Sequence, residues 1–320
     1  MFPLPQPPCN HMINPMNQTP LNDPKNIYFY KKTELVQEPN ESQRSLWFLY
    51  KNPLGKFFRR HCMRHRWFAN LVARHYNSPR SIKLIKPFID KYHIVMDDFE
   101  VPKKGFSSFN DFFIRKLKPG KRVIDPSPNN LAAPADSKIY AIPTLTPDSI
   151  FYVKQQPFNL ERFVGNATMA EYFDKGTLLM FRLAPYDYHH FHFPIECTPS
   201  PASNITGSLE SVNPIAFKSG VQPLIENERH VILLQTSAQN LIAMILVGAM
   251  IVGKIVETYT PHALCKKGDT AGYFAFGGST IVLLCKQGML KTNPLFLQHS
   301  LQGFETEVKM GEVIGTLEQK

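Results

Sequence analysis

Three apolar segments near the C-terminal end decide the fold class: HVILLQT (230–236), LIAMILVGAMIVGKIVETY (241–259) and STIVLLCKQ (279–287). They are rich in Ile, Val and Leu, and clusters of Gly, Asn, Ser and Gln separate them, which is typical of short strands. The longest apolar run, from Leu241 to Gly253, is shorter than the roughly 20 residues that a membrane-spanning helix needs. We therefore interpret it as buried strands.

Similar segments continue outward from these three. KIYAI (138–142), SIFYVKQ (149–155) and TLLMFRLA (177–184) precede them, and FETEVKMGEVIGTLEQK (304–320) predicts two short strands around Gly311. Turn residues separate the segments at intervals of about ten residues, which favours antiparallel pairing. The sequence thus predicts an α+β protein, with a β-rich antiparallel core over residues 99 to 320.

The N-terminal third has a different composition. Residues 1 to 40 are rich in Pro, Asn and Gln, so we expect a poorly ordered lead. Residues 41 to 98 predict a basic amphipathic helical region, with helices in SLWFLYK (45–51), KFFRRHCMRHRWFANLVARHY (56–76) and SIKLIKPFIDKYH (81–93). Pro53, Gly55 and the Ser78-Pro79 pair are the predicted breaks between them.

The net charge of +10 is concentrated in this helical region. Residues 44 to 92 hold seven arginines and five lysines against one acidic residue, Asp90. Basic helices with aromatic side chains suit an anionic membrane surface, but they are also typical of nucleic-acid binding. A third interpretation is that the aromatic residues are core contacts and the cations a solvated face, and the segment alone leaves all three open.

The five cysteines are scattered and form no Cys-x-x-Cys pair, which argues against a disulfide framework and a zinc knuckle. The first residues, MFPLPQPPCN, lack a basic region followed by an apolar stretch, so we expect no secretory signal. We accordingly expect the protein to stay inside the cell.

Three motifs carry residue types that suit chemistry. In GYFAFGGSTIVLL (272–284), two glycines precede Ser279 and allow close approach to the Gly278 carbonyl, although Gly-Gly-Ser-Thr is also a common turn. LAPYDYHHFHFP (183–194) holds three histidines that suit acid/base chemistry, metal binding or a polar surface. Asp187 alone makes a metal site improbable, and none is expected. In LAAPADSKIYAI (131–142), Asp136 precedes a strand, as turn and catalytic residues both do.

Together the motifs resemble the phosphatidylserine decarboxylase family, whose members carry a Pro-x-Asp segment, a Tyr-His-x-x-His-x-Pro motif and a Gly-Ser-Thr processing site in that order. They stand here at residues 134–136, 188–194 and 278–280, and the resemblance covers roughly residues 100 to 320. The Gly-Gly-Ser-Thr form resembles one branch of the family. Ser137 and His190 depart from the Gly and Arg that are usual in the family.

The resemblance implies that the chain cuts itself between Gly278 and Ser279 into a β chain of residues 1 to 278 and an α chain of residues 279 to 320. Ser279 would become a pyruvoyl cofactor, which decarboxylates phosphatidylserine to phosphatidylethanolamine through a Schiff base. His192 would act as the base for Ser279, with Asp136 orienting it. Either His189 or His192 would reprotonate the product.

A lipid substrate favours the membrane interpretation of the basic helices over nucleic acid. We expect a peripheral protein on the cytoplasmic face of the cell membrane, and the sequence leaves a homodimer open. One alternative is a serine hydrolase that uses Asp136, His192 and Ser279 without self-processing, although it lacks a GxSxG elbow. A non-catalytic lipid-binding module and a pyruvoyl enzyme acting on a soluble amino acid are further alternatives.

Overall fold

The structure is a computed structural model that describes residues 26–149, 151, 157–250, 254–277 and 279–318. Most of the predicted strand SIFYVKQ and the end of the long apolar run lie outside these residues. The strands are, in chain order, β1 (Tyr28–Lys31), β2 (Glu34–Gln37), β3 (Asn130–Ala132), β4 (Ser137–Ile142), β5 (Thr177–Leu183), β6 (His190–His192), β7 (Cys197–Pro199), β8 (Ser203–Ile205), β9 (Arg229–Thr236), β10 (Leu241–Val247), β11 (Ile255–Glu257), β12 (Thr270–Phe274), β13 (Ser279–Cys285), β14 (Leu290–Thr292), β15 (Glu305–Val308) and β16 (Val313–Leu317).

Most of the longer helices lie before the core and short ones connect its strands. The α-helices are α1 (Asn40–Lys51), α2 (Pro53–Phe58), α3 (Arg66–Tyr76), α4 (Ile85–Tyr92), α5 (Phe109–Phe113), α6 (Leu160–Val164), α7 (Ala167–Tyr172), α8 (Pro214–Phe217), α9 (Pro223–Glu226) and α10 (Pro294–Leu301). A π-helical segment covers Arg59–Met63, and 3₁₀ turns cover Pro79–Leu84 and Met96–Asp98. Among the described residues, every helix is too short or too polar to cross a membrane.

One large sheet forms the centre of the molecule, in the order β2-β1-β15-β4-β5-β13-β10-β9-β7, with β8 also paired to β9. All of its pairs are antiparallel except β1 with β15. Two three-stranded sheets, β11-β12-β6 and β14-β16-β3, complete the β structure. The predicted α+β class with a β-rich antiparallel core is confirmed.

The two faces of the large sheet bury different apolar clusters because side chains alternate along a strand. In β13, Ile281 and Leu283 belong to the first cluster, which also contains Phe191 and Phe274 from the small β11-β12-β6 sheet. Val282 belongs to the second cluster, on the opposite face. The small sheet that carries the histidine motif therefore packs on the same face of the large sheet as the odd-numbered residues of β13.

The strands β1 and β2 form a hairpin whose first strand extends the large sheet, with Phe29 opposite Glu305. The poorly ordered lead was predicted to extend to residue 40. Its boundary lies earlier, since residues 28 to 37 form this pair of strands. The proline-rich residues 1 to 25 lie outside the described residues. A prediction from local composition missed the hairpin because β15, the strand with which it pairs, is far away in the sequence.

Helices occupy much of the region after residue 40, as predicted, but the predicted helices over 56–76 and 81–93 are each divided into shorter segments. Pro53 occupies the first turn of α2, whose N-cap Asn52 accepts the backbone N–H of Leu54 at 2.9 Å. Gly55 was predicted to break the helix, but it lies inside α2. A Cβ at Gly55 would lie 2.2 Å from the Phe48 carbonyl oxygen, so the glycine allows α1 and α2 to approach closely.

Candidate active site

Ser279 is the first residue of β13 and pairs in register with Leu183, the last residue of β5. Its side chain is fully buried, and within the described residues its Oγ has no hydrogen-bond partner. The hydroxyl of Thr280 is likewise buried and unpartnered. A buried polar atom without a partner is costly, so two adjacent ones indicate a site that serves chemistry rather than stability.

The segment before Ser279 has an unusual backbone and a firm anchor. Gly277 has φ of 135°, a conformation that favours glycine, and Gly278 lies outside the described residues. The backbone N–H of Phe276 donates to Asn110 Oδ1 at 3.0 Å. Its ring contacts Tyr76 at 3.9 Å and Phe113 at 5.0 Å between centroids. Helices α3 and α5 thereby fix the residues leading to the predicted cleavage site.

His189 is fully buried, and neither of its ring nitrogens has a hydrogen-bond partner in the described part of the chain. Its ring stacks on Phe113 with 4.0 Å between centroids, and its carbonyl accepts the backbone N–H of Phe274 at 3.0 Å. Phe113 also contacts Phe276, so His189 adjoins the segment before Ser279. Burial and the charge of Arg115 hold the pKa of His189 well below its usual value.

His190 and His192 lie on the opposite face of β6 from Phe191, as the strand alternation predicts, and both are hydrogen-bonded. His190 Nε2 donates to the Ile114 carbonyl at 2.8 Å, and burial lowers the pKa of His190 to about 4. His192 Nδ1 donates to the Gly268 carbonyl at 2.9 Å. Its Nε2 therefore carries the lone pair, which accepts the Tyr188 hydroxyl at 3.1 Å.

Asp136 is nearly buried, but it does not orient His192 by a hydrogen bond, contrary to the prediction. Arg122 takes both carboxylate oxygens, with Nε donating at 3.0 Å and Nη2 at 2.5 Å. The backbone N–H of Met310 also donates to Asp136. Burial opposes ionisation, yet the Arg122 hydrogen bonds and the charge of Lys309 hold the pKa of Asp136 below its usual value.

Asp136 still acts on His192 through its charge. Burial lowers the pKa of His192, whereas the hydrogen bond to Gly268 and the negative charge of Asp136 raise it in opposition. The backbone also links the two motifs, because the N–H of His192 donates to the Pro134 carbonyl at 2.8 Å. The structure therefore brings Asp136 and His192 into one neighbourhood, with Gly268 and Tyr188 orienting the imidazole.

Arg115 was missed in the sequence. It is 2% exposed, and none of the described carboxylates lies within ion-pair distance of it. It donates instead to the carbonyls of Tyr186 and Asp187, just before His189, and its guanidinium stacks on Phe99. The sequence did contain a signal, since Arg115 stands in the aromatic run FNDFFIRK (109–116), which predicts burial. A buried arginine is rare without a function or a partner.

A buried ion-pair network lies beside the reacting strand. Lys138 binds both oxygens of Asp187, which was weighed as a metal ligand, at 2.9 and 2.7 Å. Arg182, the register partner of Thr280, pairs with Glu38 and Glu305 at 3.0 and 2.5 Å. Within the described residues no cluster of His, Cys, Asp or Glu suits a metal ion.

The family model for phosphatidylserine decarboxylase matches residues 109–316, which include all three motifs. The chain belongs to the phosphatidylserine decarboxylase family. A phosphatidylserine decarboxylase proenzyme of Fusobacterium nucleatum subsp. nucleatum is 36% identical over 296 residues, which are 92% of this chain and 99% of that protein. Proenzymes of the same name from Chlamydia pneumoniae and Clostridium novyi are 35% and 37% identical, over 88% and 84% of this chain and 93% and 91% of theirs.

These findings confirm the family that the three motifs indicated. The family match begins at Phe109, the first residue of α5, so the helix that contacts His189 and Phe276 belongs to the family core. The relatives align over most of the helical region as well, since the match to the Fusobacterium protein covers 92% of the chain.

Proposed function

We propose that this chain cuts itself between Gly278 and Ser279 and then decarboxylates phosphatidylserine to phosphatidylethanolamine. The single observation that supports this most is Ser279, a fully buried serine whose Oγ has no partner within the described residues and which stands two residues after Gly277, whose φ is 135°. A hydroxyl that bonds to nothing is available to attack the preceding carbonyl. The family membership supplies the reaction.

Processing is an acyl shift followed by an elimination. Ser279 Oγ attacks the Gly278 carbonyl carbon, and the peptide C–N bond breaks to leave an ester and a free amine on residue 279. Loss of the Ser279 α-proton then breaks the Cβ–O bond, releasing the Gly278 carboxylate. Water finally replaces the nitrogen of residue 279, ammonia leaves, and a pyruvoyl group remains at the start of the α chain.

We assign the base for Ser279 to His192 and the acid for the product to His189. A base becomes an imidazolium when it takes a proton, and the charge of Asp136 stabilises that form of His192. His189 lies instead near the cations Arg115 and Lys138, which destabilise its imidazolium. The position of His189 supports its role, because its ring stacks on Phe113 beside the segment before Ser279 and its nitrogens have no partner among the described residues.

The chain's own residues fit a small carbonyl group at position 279. The hydroxyl of Thr280 and the ring N–H of His189, which have no partner among the described residues, could donate hydrogen bonds to its oxygen. The pyruvoyl carbonyl supplies an electron sink for the bond that loses CO₂. Phe113 and Phe276, with the buried core around them, exclude water from this position. A dry environment favours decarboxylation, because the negative charge of the substrate carboxylate is less stable there than in water.

The hydrolase alternative is less well supported. It requires a continuous hydrogen-bonded Asp–His–Ser triad. In the structure Arg122 takes the oxygens of Asp136, and the Nε2 of His192 accepts from Tyr188. Self-processing also uses His192 as its base, but it needs a single turnover per chain, so a slower reaction without a hydrogen bond from Asp136 suffices.

Intact mass of the purified protein tests the processing step. The wild-type chain should give two fragments, one ending at Gly278 and one of residues 279–320 that begins with a blocked residue. Ser279→Ala should stay uncut, whereas the control Ser237→Ala, at an exposed turn, should be cut like the wild type. An uncut wild-type chain that decarboxylates phosphatidylserine would refute the processing proposal.

We also propose that the helical region attaches the protein to an anionic membrane as a peripheral protein on the cytoplasmic face. Large apolar side chains are exposed on α2 and α3: Leu54 is 75%, Phe57 65%, Trp67 55% and Leu71 57% exposed. Exposed cations such as Arg60 lie among them. Arg59 is not one of these surface cations, although the basic helical region had been predicted to expose its charges. It is buried and pairs with Glu210.

Binding to vesicles of phosphatidylserine and phosphatidylcholine tests this attachment. Each surface cation contributes about 1 kcal/mol, so Arg60→Gln should weaken binding several-fold, and 1 M salt should weaken it further. Trp67→Ser should also weaken binding, with less dependence on salt. Arg80→Gln, beyond the end of α3, provides a matched loss of charge. Equal effects of Arg60→Gln and Arg80→Gln, or no effect of either, would contradict a surface formed by the stretch from α2 to α3.

A further inference from the structure

A cavity of about 300 Å³ lies at the end of the large sheet where β13 begins. One wall is formed by Leu183 to Tyr186, which continue from β5, and another by Ala249 and Met250, which follow β10. These are the two strands that pair with β13, and Leu183 is the register partner of Ser279. The cavity therefore adjoins the reacting end of the site.

The cavity is predominantly apolar. Helix α1 contributes Leu46 and Leu49, the π-helical segment contributes Met63, and the loop before α8 contributes Val212. Its volume is at the lower limit of the range typical of ligand pockets, so it suits part of a molecule. Ser45 lines the cavity from an exposed position on α1 and thus stands at its mouth.

The charged residues of the cavity disfavour an anion. The two charged residues that line it, Glu38 and Arg182, form an ion pair, and Arg182 also pairs with Glu305, which is not part of the lining. Tyr186 donates a further hydrogen bond to Glu38 at 3.3 Å. The charges of the lining are thus already paired with each other, so a phosphate or carboxylate placed here would lack a partner, whereas a hydrocarbon group would meet apolar walls.

We propose that this cavity holds the first carbons of one acyl chain of the phospholipid substrate. The cavity is lined both by α1, through Leu46 and Leu49, and by Leu183, the register partner of Ser279. Its apolar walls thus lie between the helical region and the strand end that carries the reacting residue. The proposal rests on the proposed function and specifies how that site selects a diacyl lipid over its water-soluble head group.

A mouth-blocking variant tests the assignment in solution, without membranes. Ser45→Trp places an indole at the mouth from an exposed position, and Phe48→Trp places one on the same helix outside the cavity. With dihexanoyl phosphatidylserine as a monomeric substrate, Ser45→Trp should lower kcat/KM about tenfold, as loss of a few apolar contacts does. Phe48→Trp should leave it unchanged, and both variants should be fully cut at Ser279.

Glycerophosphoserine, which has no acyl chains, separates the outcomes. Its turnover should be the same in Ser45→Trp and the wild type. Equal losses for both substrates in the fully cut variant, or no loss for either, would overturn the acyl-chain assignment while leaving the decarboxylase intact. A wild-type chain that is cut but decarboxylates neither substrate would instead refute the proposed function.

Photolabelling locates the chain directly in the wild-type protein. A phosphatidylserine carrying a diazirine on a six-carbon acyl chain should label peptides that contain Leu46, Leu49 or Met250. Ser45→Trp should reduce that labelling and Phe48→Trp should not. Labelling confined to exposed residues such as Phe57 and Trp67 would overturn the proposal, because the chain would then remain outside the cavity.

Discussion

Two groups of side chains on either side of the histidine motif differ in whether their polar atoms are hydrogen-bonded. On one side, which we call the reacting corner, Ser279, Thr280 and His189 have buried side-chain polar atoms with no hydrogen-bond partner among the described residues. On the other, the acid corner of Asp136, Arg122 and His192, the carboxylate oxygens and both ring nitrogens are bonded.

This difference teaches which groups are available for chemistry and which are held in place. A folded chain rarely leaves buried donors and acceptors without a partner, so those of the reacting corner mark groups that a substrate or a new bond can use. The acid corner supplies a fixed negative charge and a fixed imidazole orientation instead. The first two predictions below change one corner at a time, and the third changes the histidine between them.

The largest expected effect separates the two histidines. His189→Ala removes an acid from the reacting corner, so it should be fully cut but should decarboxylate about 10²- to 10⁴-fold more slowly. His192→Ala should remain mostly uncut. His299→Ala, at a buried histidine within α10, is a control expected to be cut and active. Identical behaviour of the two motif histidines in processing and turnover would remove the distinction between the corners.

A smaller effect is expected when the acid corner loses its cation. Arg122→Met leaves the carboxylate of Asp136 buried without its bidentate partner, which should cost about 3–5 kcal/mol of stability. Urea unfolding of the uncut Ser279→Ala chain measures this without interference from processing. Lys121→Met removes a half-exposed partner of Asp98 and should cost less than about 1 kcal/mol. Equal costs would show that Arg122 is no more than a surface cation.

The smallest effect concerns pH and His190, which lies between the corners. The unfolded chain protonates this histidine below about pH 6.5, whereas burial lowers its pKa in the folded chain to about 4. Between these values protons favour the unfolded chain, so stability present above pH 6.5 falls as the pH falls, by about 3 kcal/mol at most.

His190→Gln isolates this contribution, because glutamine still donates to the Ile114 carbonyl but does not titrate. Urea unfolding at pH 7.5 and pH 5 should show a smaller loss of stability in the variant than in the parent chain. The other buried histidines act equally in both proteins and cancel in the difference. An identical loss in both would mean that His190 is solvated in the folded state.

Local patterns predicted the core and the motif faces well. The continuous apolar runs in STIVLLC and LIAMILV predicted buried strands, and β13 and β10 match them. The spacing of His190 and His192 placed both on one face of β6. These features depend only on neighbouring residues, which a sequence displays directly.

The remaining features depend on contacts between distant segments. Arg122 lies in a loop that carries no periodic pattern, so its capture of Asp136 could not be anticipated. The hairpin of β1 and β2 is ordered by β15, near the other end of the chain. Gly55 was read as a helix break because its close approach to Phe48 is invisible without the second helix.

The central claim is that Ser279 becomes a reactive carbonyl at the start of a C-terminal fragment, and chemical reduction during turnover tests it most directly. Cyanoborohydride with phosphatidylserine should inactivate the protein and add the mass of the lipid to the fragment of residues 279–320 alone. Reductant without lipid should add no lipid mass, and the uncut Ser279→Ala chain should remain unlabelled. Retained activity with an unchanged fragment mass would contradict the account, even if the chain proved to be cut.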